Sequence, residues 1–378
     1  MQGQGLLDDT RRRAGPAAVR KVVKQLGFVQ LDSIHVIERA HHLTLLARLD
    51  DYRHAHLDAL YKRRWAFEHW THDASLLPIE WHAPWHHVRR QWAEKLEKRG
   101  FLTKRLGADA TRVLDEVLAR IDRDGPLQAS DFEHDGQARN GGWWNWKPAK
   151  AALEFLYWRG DLCVVARPHF RKVYDLTERH VPPEHRAEPT SRDDFARWAV
   201  AESIGRLNVA TAAQVRQFLA VLTPAETNLA LQELAGEKHV QPVRIGSKSA
   251  YAIADWPRRL AKAERHLARQ DDRLRLLAPF DPVVRDRKRL LDWFGFDYRF
   301  EAFTPAPDRR HGYYTLPILR GETFVGRIDL KHERRAKRID VRGVWWEPSS
   351  DKEPALLDDA LARLARFVGS DDTSVNHE

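Results

Sequence analysis

Between residues 106 and 256 the hydrophobic pattern twice runs through three short helices and then a strand pair, and that order leaves few folds open. In the first pass Val113, Leu114, Val117, Leu118 and Ile121 form one stripe of a helix spanning about 109–122, which Asp124-Gly125-Pro126 ends. Ser130 is expected to cap a short second helix. Pro148 opens a third that closes at Gly160, and residues 162–166 and 172–176 alternate as paired strands around a turn at 167–170. The second pass follows Pro182, Pro183 and Pro189. Ser191 to Asp194 read as a capping box, Thr211 caps the next helix, Thr223-Pro224 starts the third, and 240–245 with 250–253 form the strand pair. Upstream, Pro16 opens a helix with Val19, Val22, Val23 and Leu26 on one face, which fits a first, degraded copy.

Three helices followed by a hairpin is winged-helix order. The tail from Leu276 reads as strands at 298–303, 313–319, 323–329 and 338–345 with a helix at 355–367. The expected fold is therefore α+β, with tandem winged-helix modules packed with a C-terminal β-rich domain. The boundaries are 1–105 (the module carrying Gln30 and Asp32), 106–180, 190–256 and 270–370. Winged helices often read operator DNA, but the third helix of the second copy, 224–235, has no Lys or Arg and carries Glu226 and Glu233. Phosphates would repel it from a major groove, so the modules read as scaffold.

Across 378 residues, 63 Lys+Arg face 54 Asp+Glu, a net +9. Residues 285–342 hold 15 basic and 9 acidic side chains, so most of the excess sits in one segment. An anionic partner fits that distribution. Nucleic acid fits better than membrane, since no run of about 18 apolar residues occurs. No charged leader with an apolar core is visible. The single Cys163, within Leu162–Val165, cannot form an internal disulfide and reads as a buried strand residue. These features lead to a cytoplasmic, nucleoid-associated chain.

Three basic clusters are candidate DNA contacts: Arg11, Arg12 and Arg13; Arg285, Arg287, Lys288 and Arg289; and Lys331, Arg334, Arg335, Lys337 and Arg338, the last between two strands and so at a hairpin tip. Each can equally be a solvated surface. Trp143, Trp144 and Trp146 in a Gly-rich loop either stack on a displaced base or pack onto the following helix. His69-Trp70-Thr71-His72-Asp73 lacks a third ligand at recognisable spacing, and no His-Glu-x-x-His, Gly-rich phosphate loop, nucleophile elbow or CxxC pair occurs. No metal and no cofactor is expected.

The sharpest chemical feature is Gln30-Leu31-Asp32 inside Phe28–Ile34. Alternation along an extended backbone puts Gln30 and Asp32 on one side. An amide and a carboxylate aimed at one spot suit holding a water beside a developing cation. The bland alternative is that Asp32-Ser33 caps a helix.

The same tripeptide resembles the Gln-aliphatic-Asp motif of the YcaQ/AlkZ-type DNA glycosylases. The chain is similar to that family also at Gly5-Leu6-Leu7 with Arg11–Arg13, at 129–134, at Gly142–Pro148, and at 173–177. Further matches are Pro279–Arg289, 298–307 and Gly312–Pro317. The Asp32 variant resembles the YcaQ branch, and the family leads one to expect further helical residues before Gly5. What the resemblance implies is a monofunctional DNA glycosylase for N7-alkylated purines that also unhooks interstrand crosslinks. In it Gln30 and Asp32 are catalytic, while Trp70 and His72, with Trp143 and Trp144, wall the active site. The implied partner is double-stranded DNA bearing alkylated or crosslinked purines, bound by a monomer. The competing class is a non-catalytic winged-helix DNA binder, either a regulator or a damage sensor; a protein-binding scaffold is a third.

Overall fold

The computed structural model describes residues 1–7, 14–132, 146–186, 190–268 and 273–375. In chain order the first segment holds α1 (Pro16–Leu26), β1 (Val29–Gln30), α2 (Ala40–Leu46), α3 (His54–Lys62), β2 (Ala66–Trp70) and β3 (Ala74–Pro78). Next come α4 (His86–Lys98), α5 (Phe101–Leu106), α6 (Ala110–Asp124), β4 (Leu127–Gln128), α7 (Trp146–Arg159), β5 (Leu162–Ala166), β6 (Val173–Leu176) and α8 (Thr177–His180). The third segment holds α9 (Arg192–Leu207), β7 (Val209–Ala210), α10 (Ala212–Leu219), α11 (Pro224–Gly236), β8 (Val240–Ile245), β9 (Lys248–Ile253) and α12 (Trp256–Leu267). The last holds β10 (Leu274–Leu276), α13 (Pro282–Arg285), α14 (Arg287–Phe294), β11 (Thr315–Arg320), β12 (Thr323–Glu333), β13 (Arg338–Trp346), α15 (Pro354–Val368) and β14 (Asp372–Val375). Helices and small sheets are thus mixed throughout. No helix among the described residues is long and apolar enough to cross a membrane.

The chain divides into two compact units. One comprises residues 1–56, 71–75 and 196–378; the other comprises 57–70 and 76–195. In the first, a five-stranded sheet in the order β10-β11-β12-β13-β14 carries the core. Leu316 and Ile318 of β11, Ile328 and Leu330 of β12, and Ile339 and Val341 of β13 join Leu357, Leu361 and Leu364 of α15. Ile37, Ala40 and Leu43 enter the same cluster. Leu319, one step along β11, enters a second cluster with Phe296, Tyr298 and Phe324, as the two-residue period of a strand requires.

A buried ion pair holds this unit together: Arg48 meets Asp281 at 2.6 and 3.1 Å, with both side chains almost fully enclosed. Arg48 also donates to the carbonyls of Gln4 (2.7 Å) and Thr44 (2.8 Å), and Asp281 accepts from the Val283 N–H at the start of α13. The Phe280-Asp281-Pro282 motif is accordingly an anchor, and the four hydrogen bonds of the Arg48 guanidinium help offset the desolvation of the charges.

In the second unit Leu114, Val117 and Ile121 of α6 pack with Phe155 and Leu156 of α7, Leu162 and Val164 of β5, and Tyr174 of β6. Cys163 is buried on β5, and burial pushes its thiol up to about 12. Glu68 is held bidentately by Arg167 (2.6 and 2.6 Å) and accepts from the Tyr61 hydroxyl (2.6 Å).

Most helices and strands fall within a few residues of the expected positions; at Ser191 the Asp194 N–H donates to the Ser191 hydroxyl at 3.1 Å, and Thr211 and Thr223 cap their helices in boxes with Gln214 and Glu226. Two expectations change: the short second helix is, among the described residues, a 3-10 helix Ala129–Phe132 with Ser130 inside it and not at its cap, and residues 298–303 form no strand. There Tyr298 turns inward, and its hydroxyl donates to Thr315 O (2.7 Å). The Glu301 carboxylate takes the N–H groups of Arg310 (3.0 Å) and His311 (2.8 Å), satisfying backbone that a ladder would have used.

Candidate active site

α1 sets up the site. Val19, Val22, Val23 and Leu26 bury its apolar stripe, and Gly27 ends it at φ 81°, a conformation that glycine adopts without a Cβ penalty. Phe28 and Val29 follow, fully buried, and the Leu31 N–H donates to Ala74 O at 2.8 Å. The chain past Asp32 stays irregular until α2. Its Ile37 lies in the core of the five-stranded sheet, and Ile34 and Val36 pack against that core.

Gln30 is buried and faces residues 72 and 73. Its side-chain oxygen accepts from His72 Nε2–H at 2.8 Å, and its amide nitrogen donates to Asp73 Oδ2 at 3.4 Å. His72 Nδ1 in turn accepts from the Thr71 hydroxyl at 3.0 Å. Burial, then the charge of Arg285, lowers the His72 pKa to about 3, so the ring is neutral and its tautomer follows from these two bonds. The hydrogen-bond network therefore fixes which end of the Gln30 amide points where.

Asp32 is half-buried. One oxygen accepts the Ile34 N–H at 2.7 Å, an Asx turn and not a helix cap, since no helix begins before Ala40. The other oxygen has no hydrogen-bond partner among the described residues. Burial raises the Asp32 pKa, the Ile34 N–H opposes the rise, and the charge of Asp73 adds to it. Asp32 also adds to the rise that burial imposes on Tyr314, a fully enclosed side chain whose hydroxyl lacks a hydrogen-bond partner among the described residues. A carboxylate with one open oxygen and an oriented amide two residues before it are able to hold a water against a cationic carbon, and the enclosed Tyr314 phenol is coupled to that carboxylate through its charge.

The basic clusters sort sharply. Arg285 donates to the carbonyls of Gln217 (2.9 Å) and Phe218 (2.8 Å), and its guanidinium lies over Phe28, which meets His72 edge-on. It thus supports the site from behind. Arg287 is bonded to the carbonyls of Val284 and Pro279, and Arg289 to Gln214 Oε1 and Leu207 O. Of that run only Lys288 reaches outward, 3.4 Å from Asp292. The other cluster does tip a hairpin: β12 and β13 pair out to Glu333–Arg338. Lys331 pairs with Glu333, Arg338 with Asp340 at 2.7 Å, and Lys337 stands 3.8 Å from Asp371. Arg334 is exposed yet donates to the carbonyls of His35 and Ile37 at 3.1 Å each, and the His332 N–H donates to Val36 O. The hairpin is thereby bonded to the loop that follows Asp32, and Arg335 stands exposed at its tip.

Trp70 packs with Trp92 and Trp158 in the second unit, ring centroids 5.9 and 5.0 Å away. Arg11, Arg12, Arg13, Trp143 and Trp144 lie outside the described residues. Three features escaped the sequence reading. Asp73 is legible only as part of a His-rich run, Tyr314 only as a position in the strand 313–319, and Phe303, 85% exposed at the end of a ring ladder Tyr314–Phe300–Phe303, carries no local signal.

Residues 23–367 match the protein family described as DNA glycosylase AlkZ-like. The chain belongs to this family, and it is an enzyme, a DNA glycosylase acting on DNA. The non-catalytic regulator and the scaffold are set aside by that membership. Among solved structures, the chain is similar to Streptomyces sahachiroi DNA glycosylase AlkZ. The TM-score is 0.64 at 16% sequence identity, with 99% of this chain and 96% of that chain covered. At such low identity the likeness speaks for the fold.

Proposed function

We propose that the enzyme hydrolyses the N-glycosidic bond of N7-alkylated purines, including those joined in interstrand crosslinks, and leaves an abasic site. The observation that carries this reading is Asp32: half-buried, one oxygen tied to its own loop, the other open, and two residues beyond the oriented Gln30 amide. N7 alkylation makes the purine a cation, so it departs without a strong acid. As the C1′–N9 bond breaks, its electron pair neutralises the purine and positive charge grows on the sugar. The Asp32 carboxylate faces that charge, and as water adds to C1′ the carboxylate takes its proton. Gln30, oriented by His72 and Asp73, positions the water. No lysine stands beside Asp32 in the described network, so no Schiff base forms and the strand is not nicked.

The hairpin of β12 and β13, bonded to the Asp32 loop, supports duplex binding through Arg335, Lys337 and Arg338, with Lys331, Arg334 and Lys288 as further cations and Arg11–Arg13 as a proposed arm. Arg285, Arg287 and Arg289 are proposed to serve through the protein framework behind the site. One chain carries every proposed catalytic group, in keeping with a monomer acting on the nucleoid in the cytoplasm. Trp70, His72, Trp143 and Trp144 remain proposed wall residues.

The winged-helix reading is likewise a proposal, supported by recurrence. Helix, short strand, helix, helix, strand, strand occurs at α1–β3 and at α9–β9, and the sheets β4-β6-β5 and β7-β9-β8 share one strand order. The division at 1–105, 106–180, 190–256 and 270–370 follows these repeats.

The test is base release from duplexes carrying N7-methylguanine or a nitrogen-mustard crosslink, followed by alkali. Free base with strand breaks only after alkali supports the reading. Release of neither adduct, or breaks before alkali, contradicts it.

A further inference from the structure

We propose that Glu38, His42 and His54 form a binding site for one divalent cation of the zinc class, a site that does not depend on the glycosylase mechanism. One donor atom from each residue lies within 4.8 Å of the other two. Two imidazoles and a carboxylate are a donor set that zinc takes, with bonds of about 2.0–2.2 Å that put tetrahedral donors about 3.4 Å apart. Small side-chain shifts reach that spacing: His54 Nε2 stands 3.0 Å from Glu38 Oε2, at the exposed first turn of α3, with its ring stacked on Phe367.

His42 is already oriented. Its Nδ1 lies 2.7 Å from the Tyr52 hydroxyl, which leaves Nε2 for the cluster. An outer hydrogen bond of this kind is what fixes the ring of a metal-bound histidine. The ionic partners of Glu38 among the described residues are two histidines and no Lys or Arg: His54 Nε2 at 3.0 Å and His35 Nε2 at 2.9 Å. The Arg39 N–H supplies a third hydrogen bond at 2.8 Å. A buried carboxylate ringed by imidazoles lacks a full opposing charge while those rings are neutral, and a dication supplies it. His35, partly exposed, stays on the second carboxylate oxygen as an outer partner that leaves the first oxygen for the ion.

Access is open. His54 and Tyr52 line a groove of about 940 Å³ together with Arg53 and Phe367. The ion would staple the loop carrying Glu38, six residues beyond Asp32, to α2 and to the start of α3.

The test uses the full chain freed of any affinity tag, stripped with chelator and titrated with ZnCl₂ by calorimetry. Metal content is read by mass spectrometry after gel filtration, and melting temperature is followed in parallel. One retained equivalent and a raised melting temperature are expected with zinc, and neither with MgCl₂. His54→Ala, a change at an exposed side chain, should lose the retained ion. Tyr52→Phe keeps the ring and should weaken zinc by about 10- to 100-fold. Glu38→Gln tests the carboxylate, and His54→Ala decides should that variant fail to fold. No retained zinc in the parent, or equal retention by parent and His54→Ala, overturns the proposal.

Discussion

The neutral ring of His72 donates through Nε2–H to the side-chain oxygen of Gln30 at 2.8 Å, and this one bond turns the Gln30 amide nitrogen toward Asp73. A free glutamine amide populates both orientations, so His72 converts it into a fixed donor. Its removal costs about one neutral hydrogen bond, roughly 1 kcal/mol, or about fivefold in rate. His72→Ala should lower single-turnover base release by about that factor or more while leaving duplex affinity unchanged, which quench-flow and fluorescence anisotropy would read. An unchanged rate would show that Gln30 needs no such guide.

Asp73 raises the Asp32 pKa in addition to burial, against the Ile34 N–H. A proton acceptor must be ionised, so kcat/KM should climb as pH rises through the raised pKa of Asp32. Asp73→Asn removes a like charge, lowers that pKa, and should move the acid limb of the profile to lower pH. An acid limb that stays put or moves up would contradict the coupling.

Tyr314 offers a test that separates function from structure. Its buried hydroxyl has no partner among the described residues, and an unsatisfied group of this kind costs about 1–3 kcal/mol. Tyr314→Phe should therefore leave denaturant stability equal or higher while base release falls. A loss of stability would show that the hydroxyl is bonded in the folded protein, and an unchanged release rate that it takes no part in catalysis.

The hairpin tip should act through phosphate charge. With Arg335→Gln and Lys337→Gln combined, the slope of log binding constant against log salt concentration should fall by about 1–2, about one per lost contact. Damaged and undamaged duplexes should weaken alike. A slope equal to the parent's would place the DNA elsewhere.

Much of this molecule was readable in its sequence because the signals are local. The stripe Val19, Val22, Val23, Leu26 specifies α1, and Thr223 with Glu226 specifies the start of α11. The Gln30–Asp32 pairing was legible because side chains alternate along an extended backbone, though the exclusion of a helix cap needed the course of residues 33–39. What stayed hidden depends on contacts far apart in the chain. Arg285, Arg287 and Arg289 look like a basic surface until the carbonyls of Gln217, Phe218, Val284, Pro279 and Leu207 are seen to occupy them. Asp281 looks like one residue of a motif until Arg48, 233 positions away, is found against it. Glu38, His42 and His54 fit no metal-ligand spacing because a loop and two helices bring them together.

The most direct measurement compares parent and Asp32→Asn on the same duplex carrying one N7-methylguanine, under single-turnover conditions with affinity determined in parallel. Loss of the carboxylate should lower the rate of base release by about 100- to 10,000-fold, with DNA binding retained and the alkali-sensitive product gone. Release by Asp32→Asn at the parental rate would contradict Asp32 as the group that opposes the sugar cation and accepts the proton of water.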